Sequence, residues 1–335
     1  MNRFVAYNMP KIELHCHLDG SMSPKLVARL LEQRGEHFAL EQIRERLEAK
    51  KDCHSLAEYL TCFDLPIRCL QTREGLALAA EELALLAAKE KIKYLEVRFA
   101  PAFSTKEGLS IREILESVRR GLKSAEEKAD ILTGMIVCGM RHLSPEENLE
   151  MLRESMELFG HGVVGCDLAG DEKAFPTADF ADFFAKAKNY KIPYTIHSGE
   201  CGSSENIKAA IEMGASRLGH GIAMSGHPEL MELCVEKGIG VEMCPTSNYQ
   251  TKAVTKEQEY PFREFFDAGI PISVNTDNRT VSQTTSTDEF MLLSELGMMN
   301  ERISERIYKD SVAMSFATDE IKHKLIQSYE DLFVL

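Results

Sequence analysis

The chain has 335 residues, 44% of them hydrophobic and 27% charged, the balance of a globular protein with a substantial core. Its net charge of −14, with no Lys/Arg run, argues against a nucleic-acid partner, and no apolar stretch is long enough to span a membrane. Nine scattered cysteines without a C-x-x-C spacing, and first residues without an apolar leader core, predict no signal peptide, a reducing compartment and a cytoplasmic location.

A short strand is expected over Ile12 to Leu18, entered through Pro10 and left through Asp19-Gly20. Alternation places Glu13, His15 and His17 on one face and Leu14, Cys16 and Leu18 on the other. Two imidazoles at i and i+2 converge as two metal ligands must, but a pair of hydrogen-bonded core histidines has the same spacing. Ser23-Pro24 then opens a helix with Leu26, Val27, Leu30 and Leu31 on one face, and Gly35 stops it. A charged helix over 41–50 follows, and then a short one carrying Leu56, Tyr59, Leu60 and Phe63 at i, i+3, i+4 and i+7. An alanine- and leucine-rich helix from Arg73 to Lys91 leads into a second strand, Tyr94 to Phe99.

From there the pattern repeats. Ser110 and Glu113 form a capping box, and Ser144, Pro145 and Glu147 open another helix. Thr177 is placed to cap a helix bearing Phe180, Phe183 and Phe184. Further strands are expected at Leu132–Met140, Val163–Leu168, Ile192–His197, Arg217–Ile222, Ile239–Cys244 and Pro271–Thr276, with helices near 204–213, 228–237 and 260–268 and more from Ser286 onward. Eight strands alternating with helices predict an α/β fold, a (β/α)8 TIM barrel with extra C-terminal helices. A doubly wound open sheet would want a G-x-G-x-x-G loop after the first strand, which is absent. The first connection, 19–93, is far longer than the others and is expected to fold over the barrel mouth as a helical lid. On such a lid the stripe Leu56, Tyr59, Leu60 and Phe63 would face a substrate, whereas elsewhere it would be plain core.

The strand ends collect reactive side chains. The first ends in His15, His17 and Asp19, the fourth in Gly170, the fifth in His197 and Glu200, the sixth in His220 and the eighth in Asn275, Asp277 and Asn278. His37, His54, His142, His161, His227 and His323 fall in loops or helices and read as structural or solvated. Three neutral imidazoles and a carboxylate suit zinc, with iron or cobalt less favoured, and leave a position for a water made nucleophilic near neutral pH. Glu200, three residues past His197, is either a solvated loop glutamate or a carboxyl placed for proton transfer. Glycines on both sides of His220 allow it close to bulky partners.

At these residues the chain resembles the adenosine deaminase family of the amidohydrolase superfamily. The resemblance is carried by PKIELHCHLDGS at 10–21, YLEVRFAP at 94–101, GCDLAGDE at 165–172, HSGE at 197–200, LGHG at 218–221 and NTD at 275–277. It implies one zinc-dependent (β/α)8 domain over 1–335 that converts adenosine, a small-molecule purine nucleoside, to inosine and ammonia in purine salvage. By the same resemblance His15, His17, His197 and Asp277 hold one zinc ion, Glu200 protonates purine N1, and His220 orients the attacking hydroxide and shares in its deprotonation. The Gly170 N–H reaches N3, Asp19 binds the ribose 5′-hydroxyl, and the residue at Asn278 faces N7. Many family members carry a second aspartate there, followed by proline; this chain has Asn278-Arg279.

Rival readings fit less well. A binuclear hydrolase bridged by a carbamylated lysine lacks that lysine in 163–170, and a cytidine-deaminase type of zinc site would need P-C-x-x-C, which is absent. A non-catalytic nucleoside-binding protein has no need of Glu200 and His220 beside a full ligand set. A deaminase of adenine or of a modified adenine nucleoside is the nearest alternative. Adenine-specific relatives usually carry glutamate where this chain has Asp19, which favours the nucleoside.

Overall fold

The computed structural model describes residues 1–50, 53, 55–201 and 203–331. His54, read as structural or solvated, lies outside the described residues. Eight strands run in chain order: β1 Lys11–His17, β2 Ile92–Phe99, β3 Leu132–Met140, β4 Val163–Ala169, β5 Thr195–Ser198, β6 Arg217–His220, β7 Gly240–Met243 and β8 Ile272–Val274. They pair in parallel as two four-stranded sheets, β1 to β4 and β5 to β8. Single bridges from Cys16 to Asp277 and from Cys166 to Tyr194 join the two sheets at both seams, so the ring closes as a (β/α)8 barrel.

The caps read from sequence form as expected. Ser23 accepts from the Leu26 N–H with Pro24 at the first helical position, and Ser110–Glu113 and Ser144–Glu147 are reciprocal boxes. Thr177 is different. A 3-10 turn over Thr177–Phe180 precedes helix Ala181–Asn189, and Thr177 caps neither. Its hydroxyl instead accepts from Arg141 at 2.9 Å, because that buried guanidinium competes for the same oxygen. β5 starts three residues later than expected. Pro193 has no N–H for a ladder, although its carbonyl still accepts from the Cys166 N–H at 3.1 Å.

Within 19–93, only part of the stretch covers the mouth. Helix Leu56–Leu60 and the turn Thr61–Phe63 reach the cavity described below. Helix Arg73–Lys89 buries Leu76, Ala80, Leu83 and Ala87 in the main core. It stands in the outer ring beside helix Ile111–Lys128, whose Ser124 donates to Glu81 at 3.1 Å. Among the described residues, no helix is long and apolar enough to cross a membrane.

The barrel interior is not the usual filling of branched apolar side chains. Glu96, Arg98, Asp167, Arg217 and Glu242 are fully buried inside it. Arg98 donates to Asp167 at 2.8 Å and to Glu242 at 2.7 Å; Arg217 donates to the other Glu242 oxygen at 2.5 Å and to Glu96 at 2.6 Å. The C-terminal segment closes this layer from below. Met314 O accepts from Arg217 at 2.9 Å, the Phe316 N–H donates to Glu96 at 2.6 Å, and the Phe316 ring lies 3.7 Å from the Arg217 guanidinium carbon. Charges buried this deeply persist only when paired and hydrogen-bonded, as here.

Candidate active site

A cavity of about 330 Å³ opens at the C-terminal ends of the strands. Its walls include Glu200, His220, His17, His197, Asp277, Asp19, Gly170, Asn278 and the stripe Leu56, Tyr59, Leu60 and Phe63. Of the residues singled out at the strand ends, His15 and Asn275 lie beneath the floor, with no exposed surface. The C-terminal end of β1 and the turns after β4, β5, β6 and β8 therefore deliver to one place residues that run from His17 to Asn278.

Five donors converge at the floor. Ligand atoms of His15, His197, His220 and Asp277 lie within 4.8 Å of one another. His17 Nε2 reaches the same point, 3.2 Å from His197 Nε2 and 3.4 Å from Asp277 Oδ1. His15 Nε2 is buried with no hydrogen-bond partner, 3.4 Å from the same Asp277 oxygen. An orphaned imidazole nitrogen facing a carboxylate and two more imidazoles is a donor set that a divalent cation such as zinc satisfies. Burial lowers the pKa of His17, His197 and His220 and favours the neutral form that a ligand needs, whereas at His15 burial and Arg98 are outweighed by the carboxylates of Asp277 and Glu242, which raise its pKa. Burial opposes ionisation of Asp277, yet the imidazoles of His15, His17 and His220 beside it outweigh burial and hold the carboxyl well below its ordinary range.

Partners behind the imidazoles set their orientation, and none of these was recognised from sequence. His15 Nδ1 lies 2.8 Å from Glu242, and His197 Nδ1 lies 2.9 Å from Asp167, off the line of a straight hydrogen bond. Arg98 bridges those two carboxylates. A signal for Arg98 and Asp167 existed, since a charge inside an otherwise apolar strand must find a partner. His220 Nδ1 lies 3.0 Å from Asn248 Nδ2, and Asn248 Oδ1 accepts from the Tyr260 hydroxyl at 2.9 Å. Only Nε2 of His220 is then left for the cavity, 3.6 Å from Glu200 Oε2.

Two of the six non-glycine residues with positive φ among the described residues stand at this site. His220 and Asp277 have φ of 65° and 57°, a left-handed conformation that costs a non-glycine residue about 1–3 kcal/mol. Gly219 beside His220 admits the rings: a Cβ there would lie 3.2 Å from both His15 Cε1 and His197 Cα. Glu200 is nearly buried, and burial, then the charges of Asp277 and Glu172, push its carboxyl from 4.5 up to about 8. That carboxyl holds its proton at neutral pH.

The opposite wall is apolar. Leu56, Leu60 and Phe63 face the cavity, and Tyr59 does so while also packing with Cys53, Cys62 and Val281. Its hydroxyl pairs with Ser282 Oγ at 2.6 Å, tying the lid to the segment after β8. Burial pushes Asp19 up to about 6. Asn278 lies over Gly20, where any Cβ would collide with its carboxamide. Phe103, Met140 and Phe175 also line the cavity, and so does His142, which is exposed, as the solvated reading has it, and whose ring stacks on Phe103 at 5.7 Å between centroids. All four follow β2, β3 or β4 at the rim, and that position was the signal for them. No lysine or arginine lines the cavity among the described residues, while Asp19, Asp64 and Asp171 do.

A closed parallel barrel that gathers imidazoles and a carboxylate at its C-terminal rim has the architecture of a metal-dependent hydrolase. The family profile described as adenosine deaminase matches residues 10–331. An adenosine deaminase of Enterococcus faecalis (strain ATCC 700802 / V583) is 40% identical over 328 residues, 97% of each chain. The chain belongs to the adenosine deaminase family. Among solved structures, the apo N6-methyl-AMP deaminase of Arabidopsis thaliana is similar at a TM-score of 0.86 and 26% identity, over 98% of each chain. The adenine deaminase of Arthrobacter aurescens reaches a TM-score of 0.89 over 98% of this chain and 100% of its own, at 23% identity, a likeness of fold.

Proposed function

We propose that this chain hydrolyses adenosine, and 2′-deoxyadenosine, to inosine and ammonia. The observation that carries this is the meeting, in one cavity, of a metal-competent corner and a carboxyl, Glu200, that keeps its proton at neutral pH. In the reaction a water oxygen bonds to purine C6, a proton from that water passes to N6, the C6–N6 bond breaks, and ammonia leaves. Zinc, one ion per chain, held by His15, His17, His197 and Asp277, supplies the Lewis acidity that makes water a nucleophile near neutral pH. His17 rather than His220 is assigned as the fourth ligand because His220 is tied to Asn248 and turns Nε2 toward Glu200.

Glu200 delivers its proton to N1, which makes the ring a far better electrophile and relieves a buried carboxyl of a proton only as the ring takes it up. His220 Nε2 orients the attacking oxygen and stabilises charge as it develops there. The Gly170 N–H binds N3. Asn278, a carboxamide with donor hydrogens at any pH, donates to N7, so the residue found where many relatives have aspartate performs the same task without a proton to hold. Asp19 accepts from the ribose 5′-hydroxyl, and the stripe Leu56, Tyr59, Leu60 and Phe63 covers the ribose as the working part of a lid within a single domain spanning 1–335.

The cavity lining favours a nucleoside over a nucleotide. A 5′-phosphate would meet the carboxylates of Asp19, Asp64 and Asp171 and no cation. Free adenine would leave Asp19 and the apolar wall unused. Nine free cysteines suit the reducing cytoplasm, where such an enzyme serves purine salvage. An absorbance assay run in parallel on adenosine, AMP and adenine tests the assignment, with adenosine expected to be turned over fastest. Asp19→Ala should lower kcat/KM for adenosine about 10- to 100-fold, the worth of a hydrogen bond to a charged group, and leave adenine nearly untouched. Faster turnover of AMP or adenine by the parent enzyme would overturn the choice of substrate.

A further inference from the structure

Glu172 closes the GCDLAGDE motif, yet it does not line the cavity, and its one effect so far is that of its charge on Glu200. It is 2% exposed, and its carboxylate is met by three N–H donors. One oxygen accepts from the Gly199 N–H at 2.9 Å and from Asn206 Nδ2 at 3.0 Å; the other accepts from the Cys201 N–H at 2.7 Å. The two backbone donors bracket Glu200. A residue whose neighbours on both sides are pinned to one rigid group has its Cα and the direction of its side chain fixed.

Glu172 is itself held. Asn206 Nδ2 also approaches the Glu172 carbonyl at 3.1 Å, and Asn206 Oδ1 accepts from the Thr177 N–H at 2.8 Å. Arg141 links the Thr177 hydroxyl, at 2.9 Å, to the carbonyl of His197, at 2.8 Å. The chain of contacts thus runs from the turn that carries Glu200 back to the strand that carries His197, a frame that refers the acid to the metal corner. Three converging N–H groups need two acceptor oxygens, which a carboxylate has and a carboxamide lacks.

We propose that Glu172 is a positioning residue, which fixes the Gly199–Cys201 turn so that the Glu200 carboxyl points at the substrate ring. It rests on Glu200 being the acid of the reaction proposed above. A merely structural buried carboxylate would make the same hydrogen bonds, so the test must read dependence on Glu200.

The experiment is a double-mutant cycle on purified, metal-loaded enzyme, with kcat, KM, metal content and melting temperature measured for Glu172→Gln, Glu200→Gln and the double variant. In Glu172→Gln one donor must face the amide NH2, and the turn shifts. We expect kcat to fall about 10- to 100-fold, the cost of a misplacement near 1 Å, with KM changed less than about threefold and the metal retained. In the Glu200→Gln background the same change should cost less than about threefold, since there is no acid left to misplace. Equal losses in both backgrounds, or a loss confined to KM or metal content, would overturn the inference. Should Glu200→Gln alone stay within a few-fold of the parent, the acid assignment fails first, and the positioning role with it. If Glu172→Gln does not fold, Asn206→Ala, which removes one donor from outside the cavity, replaces it. A kcat loss of about 3- to 10-fold that vanishes beside Glu200→Gln supports the role, and one that persists there sinks it.

Discussion

At the metal corner, His15, His197 and His220 are each backed by Glu242, Asp167 or Asn248, and those partners are pinned in turn by Arg98 and Tyr260. Across the same cavity, the lid wall of Leu56, Leu60 and Phe63 is held by packing, and one hydroxyl pair from Tyr59 to Ser282 ties it down. The corner also carries the left-handed backbone of His220 and Asp277, and Leu60 on the lid is 40% exposed. The difference fits the role proposed for each side. Ligand and acid geometry tolerates little displacement, so it is over-determined by directional, desolvated contacts. Covering a sugar needs area more than angle, and apolar contacts supply it without fixing a direction.

That contrast can be broken most severely by Asp277→Ala. It should lose the metal and lower turnover by about 10³-fold or more, checked by metal analysis alongside the deaminase assay. Retention of one tightly bound metal would mean that the four remaining imidazole donors regroup without the carboxylate.

Arg98→Met probes the layer below. It leaves Asp167 and Glu242 buried without their shared cation, and about 3–5 kcal/mol of stability should go. Metal affinity should weaken about 10- to 100-fold through disordered imidazoles. Denaturant melts with and without added zinc separate the two effects. A variant with native stability and affinity would show that the imidazoles hold themselves.

The pH profile sharpens the corner further. Glu200 is raised to about 8, so its acid form prevails below that value and drains away above it. Turnover should therefore fall as pH rises through about 8, by up to tenfold per unit. Glu200→Gln should lack that limb, and a profile flat to pH 10 would deny Glu200 the proton.

The smallest effect belongs to the lid. Phe63→Ala should raise KM for adenosine several-fold, with little change in melting temperature, because the ring packs on the cavity rather than into the main core. A stability loss of about 3–5 kcal/mol, the cost of emptying a core phenylalanine site, would return the residue to the core.

Local pattern made much of this protein legible. Two-residue alternation put His15 and His17 on one face of β1, serine caps and proline marked helix starts to the residue, and the β–α rhythm predicted the closed barrel. Reactive residues at strand ends were legible for the same reason, since a strand end is a local feature and the barrel sends all eight to one rim. The partners were not. Glu242 is 227 residues from the imidazole it holds, and Arg98 meets Asp167 across 69 and Glu242 across 144. No periodicity in a chain encodes which of many charges will meet at such separations. Thr177 went astray for a related reason, because a hydroxyl has several local uses and Arg141 decides among them. The sequence by itself determined the order of elements, their faces and the chemistry available at the rim, all properties of short-range geometry. Only the tertiary structure decided which nitrogen faces the cavity, which carboxyl keeps its proton and which side of the lid stripe lines the cavity, because these depend on desolvation and contact between segments that only the closed barrel brings together.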